Sequence, residues 1–298
     1  MSETAIFKRT GIRERRWALE KDAASDLAER AALEAIQRAQ IEPGEIDLIL
    51  ISTTSPDFVF PSTSAVLQHR IGARNAAAFD IQASCSGFLY GLSIAEQFLR
   101  NPRANHVLVA AAEIKSRMLN FDDPGSAILF GDGAGAVVLS RRKDQSGLLA
   151  CRLHSDGRFH RLIRMQAGRS RISASSESLR KNLHLLEMDG MPVYRHAVRS
   201  FKQAIRELLD SERLSIDDID LFIFHQANLR LLEKVAADHA IPRRKLATTI
   251  EKYGNTSSAS IPITLHDAVV NGRIRKGSRT LLAAVGGGLT WASALYQW

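Results

Sequence analysis

Three side chains in this sequence have the types needed for thiol-based acyl transfer: Cys85, His225 and Asn255. Cys85 stands in Ala83-Ser84-Cys85-Ser86-Gly87-Phe88, after a strand-like 78–81 and before an apolar helical stretch, 88–100. A thiol at a helix N-terminus meets free amides and the positive end of the macrodipole, which favour the nucleophilic thiolate. Taken alone, the residue fits a buried structural cysteine equally well. His225 follows the apolar strand 221–224 in Phe224-His225-Gln226-Ala227-Asn228, a strand-to-helix junction of the kind where α/β proteins gather ligands. Asn255 lies in the turn Tyr253-Gly254-Asn255-Thr256-Ser257-Ser258, ahead of another helix. A cysteine, a histidine and an asparagine converging on one point would attack a thioester and hold the charge that develops on its oxygen. Gly286-Gly287-Gly288 offers backbone that can approach a ligand and, with the Cys85 amide, form an oxyanion hole; a tight hairpin between buried strands fits the same glycines.

A duplication brings these residues together. Ile46-Asp47-Leu48-Ile49-Leu50-Ile51 recurs as Ile219-Asp220-Leu221-Phe222-Ile223-Phe224, 173 residues later (219 − 46). The same interval carries Leu108, Ala110 and Ala111 of a strand at 106–112 onto Leu281, Ala283 and Ala284. It also carries Cys85 onto Ser258, so two like turns at helix starts should meet across a pseudo-twofold axis, with Asn255 near Cys85. Helical periodicity at 23–40 and 193–209 precedes each Ile-Asp-Leu strand. Alternating helices and nearly all-apolar strands predict sheets covered on both faces, the α/β layered class. Residues 141–187, rich in Arg, Ser and Gly, read as a connecting strand with excursion loops. Gly131-Asp132-Gly133-Ala134-Gly135-Ala136 leads into a strand rather than a helix, so it reads as close backbone packing beside the site and not as a dinucleotide loop.

The 298 residues are 45% hydrophobic and 24% charged, enough for a full core. No apolar run follows a basic start, so no leader is apparent and the chain is expected in the cytoplasm. The uncharged stretch 281–298 is broken by glycines and suits two buried strands rather than a membrane span. Two cysteines, Cys85 and Cys151, are too few for a disulfide framework, and His154, His160, His184 and His196 lack metal-ligand spacing. A net charge of +8 favours an acidic partner. The basic residues are scattered, without zinc-finger or RNA-binding signatures, which argues against nucleic acid; a phosphopantetheine carrier, coenzyme A or an acidic acyl carrier protein, fits the charge equally well.

As a set, Arg9-Thr10-Gly11-Ile12, the Cys-Ser-Gly-Phe of 85–88, the glycine-rich 131–136, His225-Gln226-Ala227-Asn228, Tyr253-Gly254-Asn255-Thr256 and the Gly-Gly-Gly-Leu-Thr-Trp of 286–291 closely resemble the β-ketoacyl-acyl-carrier-protein synthase III family of the thiolase superfamily. The resemblance implies the thiolase fold: two pseudo-symmetric βαβαβαββ halves, 1–145 and 146–298, in α-β-α-β-α layers. The first N-terminal strand is expected to be missing, since the chain starts nine residues before Thr10. It implies that Cys85 takes an acyl group from acyl-CoA. His225 and Asn255 would then hydrogen-bond the thioester oxygen of malonyl-acyl carrier protein as carbon dioxide leaves, and the Cys85 and Gly287 amides would form the oxyanion hole for condensation to 3-oxoacyl-acyl carrier protein. No metal or redox cofactor is implied. Phe60 matches a residue that reaches across a homodimer interface into the partner's acyl pocket. Arg9, Gly190, Tyr194, Asn228 and Arg230, with Ser257, match substrate-binding positions along the pantetheine tunnel or its rim.

Two substitutions depart from the family pattern. Ala5 stands where a tryptophan usually stacks on adenine and Pro124 where an arginine helps hold it, so coenzyme A should bind more weakly or differently. The segment 158–171 carries Arg158, Arg161, Arg164, Arg169 and Arg171, and Arg117 lies near the site by sequence. Guanidinium groups pair bidentately with carboxylates. Two primers therefore stay open: acetyl-CoA, as in fatty-acid initiation, and a dicarboxylic acyl-CoA such as glutaryl-CoA, which would give 3-oxopimeloyl-acyl carrier protein, a biotin precursor. A solvated basic face for the carrier protein explains these arginines as well. A degradative thiolase would need a second cysteine near the glycine-rich strand, and an HMG-CoA synthase a glutamate acid/base that the sequence does not nominate. A noncatalytic subunit supporting an active partner is the alternative of a different class.

Overall fold

The computed structural model describes residues 1–141 and 146–298, so the expected boundary between the halves, at 145/146, falls on residues outside the described set. The first half runs α1 (Glu3–Thr10), α2 (Ala24–Ala39), β1 (Leu48–Ser52), α3 (Thr63–Arg70), β2 (Ala77–Ile81), α4 (Gly87–Leu99), β3 (His106–Glu113), the one-turn α5 (Pro124–Ala127) and β4 (Gly133–Ser140). The second opens with β5 (Gly147–Ser155) and an excursion of β6 (Ile163–Arg164), α6 (Ser176–Arg180) and β7 (Glu187–Met188). It continues through α7 (Gly190–Glu212), β8 (Leu221–Phe224), α8 (Leu229–Asp238), β9 (Leu246–Ala247), α9 (Ile250–Tyr253), α10 (Ser260–Val270), β10 (Arg279–Gly286) and β11 (Thr290–Gln297). α7 begins ahead of its apolar periodicity because its first turn is Gly-Met-Pro, where a proline's missing N–H costs nothing.

One sheet has the order β2-β1-β3-β4 and the other β5-β11-β10-β8-β9. β1 and β8 each pair in parallel with two neighbours, while β3–β4 and β10–β11 are antiparallel. Among the described residues the first sheet has no counterpart of β5, the strand expected to be missing. β1 shows why both faces must be covered. Its side chains alternate, Leu48 and Leu50 packing with α4 and Ile49 and Ile51 with α2.

α4 and α10 lie between the sheets. Phe88, Leu89 and Leu92 of α4 and Ile261, Leu265 and Ala268 of α10 join Val107, Val109, Leu221, Ile223 and Leu282 in a core that both halves share. Fully buried Phe88 and Leu89 each contribute about 1.5–3 kcal/mol to holding α4 there. α2 and α3 cover the outer face of the first sheet, and α7 and α8 that of the second. The result is the α-β-α-β-α thiolase arrangement. Among the described residues, no helix is long and apolar enough to cross a membrane.

Candidate active site

The two central helices aim their N-termini at each other. A 3-10 turn, Ser84–Ser86, precedes α4, and another, Ser257–Ala259, precedes α10. Both open on a serine in the left-handed region, Ser84 at φ 51° and Ser257 at φ 53°, a conformation that persists only where the surroundings impose it. Cys85 Sγ and Ser257 Oγ stand 3.5 Å apart. Ser86 Oγ donates to the Thr290 carbonyl at 3.1 Å and Thr290 Oγ1 to the Ala83 carbonyl at 2.8 Å, tying the first turn to β11. Behind the thiol β10 ends in Gly286, where a Cβ would lie 2.6 Å from the Cys85 nitrogen. Glycine alone lets that backbone close on the nucleophile.

The sulfur faces a cavity of about 930 Å³. Burial pushes the Cys85 thiol up, but His225, by charge and hydrogen bonding, the Ser257 hydroxyl, where it donates to the sulfur, and Lys115, by charge, pull it down further, to about 7. Near neutral pH a large share is therefore the thiolate that attacks carbonyl carbon. Burial instead pushes Cys151 up to about 12, which leaves it unreactive.

His225 extends β8 by one residue, its N–H donating to the Ala283 carbonyl at 2.8 Å. The ring is 1% exposed, with Nδ1 2.7 Å from Ser260 Oγ. Ser260 Oγ also accepts from the Gln226 N–H at 3.2 Å, and its own proton can go to Nδ1. With the Ser260 hydroxyl donating to Nδ1, the neutral imidazole carries its own proton on Nε2 as a donor. Asn255 follows Gly254, held at φ 65° where a Cβ would come within 2.9 Å of the Leu129 carbonyl oxygen. Its Oδ1 accepts from the Ser257 N–H at 2.8 Å, leaving the Nδ2 donors for the cavity. The glycine-rich segment packs closely beside this turn, as its spacing predicts. Gly131 N–H donates to the Asn255 carbonyl at 3.0 Å, and a Cβ on Gly135 would sit 2.8 Å from Pro262 Cβ.

Cys85, His225, Asn255, Ser257 and Gly286–Gly288 all line this one cavity, together with Arg9, Gly190, Tyr194 and Asn228. Asn228 Oδ1 caps α8 through the Arg230 N–H at 2.8 Å, while the Arg230 guanidinium lies outside the lining, donating to the Lys8 carbonyl at 3.0 Å. Phe60 also lies outside it, 84% exposed. The expectation for Arg117 is corrected. The chain turns at Ser116–Met118, and the guanidinium donates to the carbonyls of Leu19 and Glu20 at 2.9 and 2.7 Å, away from the cavity. Of the arginines in 158–171, Arg164 and Arg169 line the cavity, Arg164 paired with Glu187 at 2.9 Å; Arg158 pairs with Asp156 on the surface, and Arg161 and Arg171 are exposed. Pro124 lines the cavity, and Ala5 does not.

Comparison with known proteins gives the family. A family model described as 3-Oxoacyl-[acyl-carrier-protein (ACP)] synthase III matches residues 79–157, and one for the synthase III C terminal matches 209–298. The β-ketoacyl-[acyl-carrier-protein] synthase III of Clostridioides difficile (strain 630) is 43% identical over 297 residues, covering 100% of this chain and 90% of that protein. This chain belongs to the synthase III family. The crystal structure of 3-oxoacyl-[acyl-carrier-protein] synthase III from Aquifex aeolicus VF5 gives a TM-score of 0.91 at 39% identity, covering 100% of this chain and 92% of that one. This synthase III is accordingly a condensing acyltransferase with the thiolase fold.

Two residues of this synthase III escaped the sequence reading. Lys115 is 5% exposed and lines the cavity, its Nζ bonded to Thr54 Oγ1 and 3.4 Å from Glu113. Glu113 is fully buried at the end of β3. The duplication held the signal for Glu113. It lies one repeat interval before Gly286, so a carboxylate stands where the other half ends in glycine.

Proposed function

We propose that the enzyme joins a primer whose far end carries a carboxylate, such as a glutaryl thioester, to malonyl-acyl carrier protein. Cys85 thiolate attacks the primer carbonyl and expels the carrier thiolate. Malonyl thioester then loses carbon dioxide, and the enolate oxygen accepts from His225 Nε2–H and Asn255 Nδ2–H. The carbanion attacks the acyl-Cys85 carbonyl, whose oxyanion accepts from the Cys85 and Gly287 amides. Collapse releases Cys85 thiolate and 3-oxoacyl-acyl carrier protein.

Lys115 carries the primer assignment. An ammonium has three donors; one goes to Thr54, and Glu113 lies 3.4 Å away as its counter-charge. Glu113 already balances the Lys115 charge, so the distinction lies in the remaining donor: a distal carboxylate would accept from it, whereas an acetyl group would not. Arg164 and Arg169 add positive charge to the same wall. Intact-mass spectrometry after incubation with glutaryl-CoA or acetyl-CoA tests this. The glutaryl adduct is expected on the wild type, absent from Cys85→Ala, and formed about ten-fold or more slowly by Lys115→Met, the loss of one charged hydrogen bond. A strong preference for acetyl-CoA would remove the carboxylate primer.

Two surfaces support the partners. Phe58, Val59 and Phe60 are 57%, 71% and 84% exposed in the loop between β1 and α3, which suits an isologous homodimer. Arg195, Arg199, Lys202 and Arg206 form an exposed stripe along α7, which begins at the cavity-lining Gly190, suiting an acidic carrier protein.

A further inference from the structure

The donors around Glu113 outnumber what a structural carboxylate needs. Its Oε1 accepts from Ser257 Oγ at 2.9 Å and Ser258 Oγ at 3.0 Å. Its Oε2 accepts from the Thr54 N–H at 3.2 Å, Thr54 Oγ1 at 3.0 Å and Ser55 Oγ at 2.9 Å. These groups come from the loop after β1 and from the turn before α10, so the carboxylate clamps two segments that flank the thiol. Ser258 Oγ also lies 3.2 Å from the Ser52 carbonyl, while the Thr54 N–H can only donate to the carboxyl group. Ser257 sits between Glu113 and Cys85 Sγ with one proton to give. A carboxylate is the stronger acceptor, so the proton lies on that side.

We propose that Glu113 is a positioning residue of the condensing centre: by taking the only proton of Ser257, it turns an oxygen lone pair of Ser257 to the Cys85 thiol while fixing the Ser257 N–H that orients the Asn255 amide. The thiol then donates to Ser257, which aims its S–H and restrains it from ionising further. Lys115 faces the opposite way in charge, offsetting the buried carboxylate beside the thiol. The groups that act on the sulfur are His225, Lys115, the Ser84 hydroxyl at 3.9 Å and, through Ser257, Glu113. The assignment of a catalytic thiol rests on the proposed condensation, but the hydrogen-bond direction does not.

The rate of Cys85 alkylation by iodoacetamide, followed by peptide mass against pH, tests the direction without any thioester. In Glu113→Gln a negative charge is lost and Ser257 is free to donate to sulfur, so the midpoint falls by about one pH unit. In Ser257→Ala the thiol loses its acceptor, and the midpoint falls by about half a unit. Should Glu113→Gln fail to fold, Ser257→Ala decides alone. A midpoint that rises in Ser257→Ala shows a serine donating to sulfur and overturns the proposal, as does an unmoved midpoint in folded Glu113→Gln. Failure of Cys85 to accept any acyl group would sink the condensing role and leave this result standing.

Discussion

The two halves present the same backbone to the cavity and different side chains. β1 and β8 begin at Leu48 and Leu221, β3 and β10 at His106 and Arg279, and α4 and α10 at Gly87 and Ser260, all one repeat interval apart. Even the left-handed serines correspond, Ser84 to Ser257. The first turn nevertheless carries the nucleophile Cys85, while the second carries Ser258 and is preceded by Asn255. At the strand ends Glu113 opposes Gly286. The glycine opens space for β10 to close on Cys85, and the glutamate fills the equivalent space and reaches across to the other turn. A shared scaffold thus fixes where the groups meet, and a few substitutions divide the labour between attack and charge stabilisation.

Breaking the glycine side of this comparison should have the largest effect. Gly286→Ala puts a methyl against the Cys85 nitrogen, and steady-state turnover is expected to fall at least about 10²-fold, since small misplacements of a reacting group cost that much. Asn255→Ala strips a donor from the second turn only. Condensation should drop by about 10²–10³-fold while Cys85 still loads with acyl group, which intact mass resolves from turnover. His225→Ala leaves burial to act on the thiol with less opposition. The alkylation midpoint should rise by about one unit or more above that of the wild type, so that reactivity is lost at neutral pH and regained only in base. The smallest effect sharpens the comparison. Ser84→Gly should leave thermal stability within about 1 kcal/mol, backbone relief offsetting added chain entropy, whereas Ser257→Gly should cost about 1–3 kcal/mol because Glu113 loses a donor.

The repeat interval made much of this legible. Apolar strands with a fixed spacing placed the two turns opposite each other, and Cys85, His225 and Asn255 do line one cavity. Side-chain direction in loops was not legible. Arg117 and Lys115 are two residues apart after β3, yet the turn at Ser116–Met118 sends the arginine to Leu19 and Glu20 and leaves the lysine in the cavity wall. Glu113 was hidden for another reason. It ends an apolar strand, and its partners Thr54, Ser55, Ser257 and Ser258 come from distant stretches that only the packed sheets bring together.

The pseudo-twofold axis also limits how such a centre could have been inherited. In a homodimer of half-length chains, a residue at the turn appears twice, so a cysteine facing a serine across the axis is forbidden, as is a glutamate opposite a glycine. Joining two copies in one polypeptide lifts that rule, because each position then mutates alone. Cys85 against Ser258, and Glu113 against Gly286, are differences that two identical half-length chains cannot encode and one chain carrying both copies can.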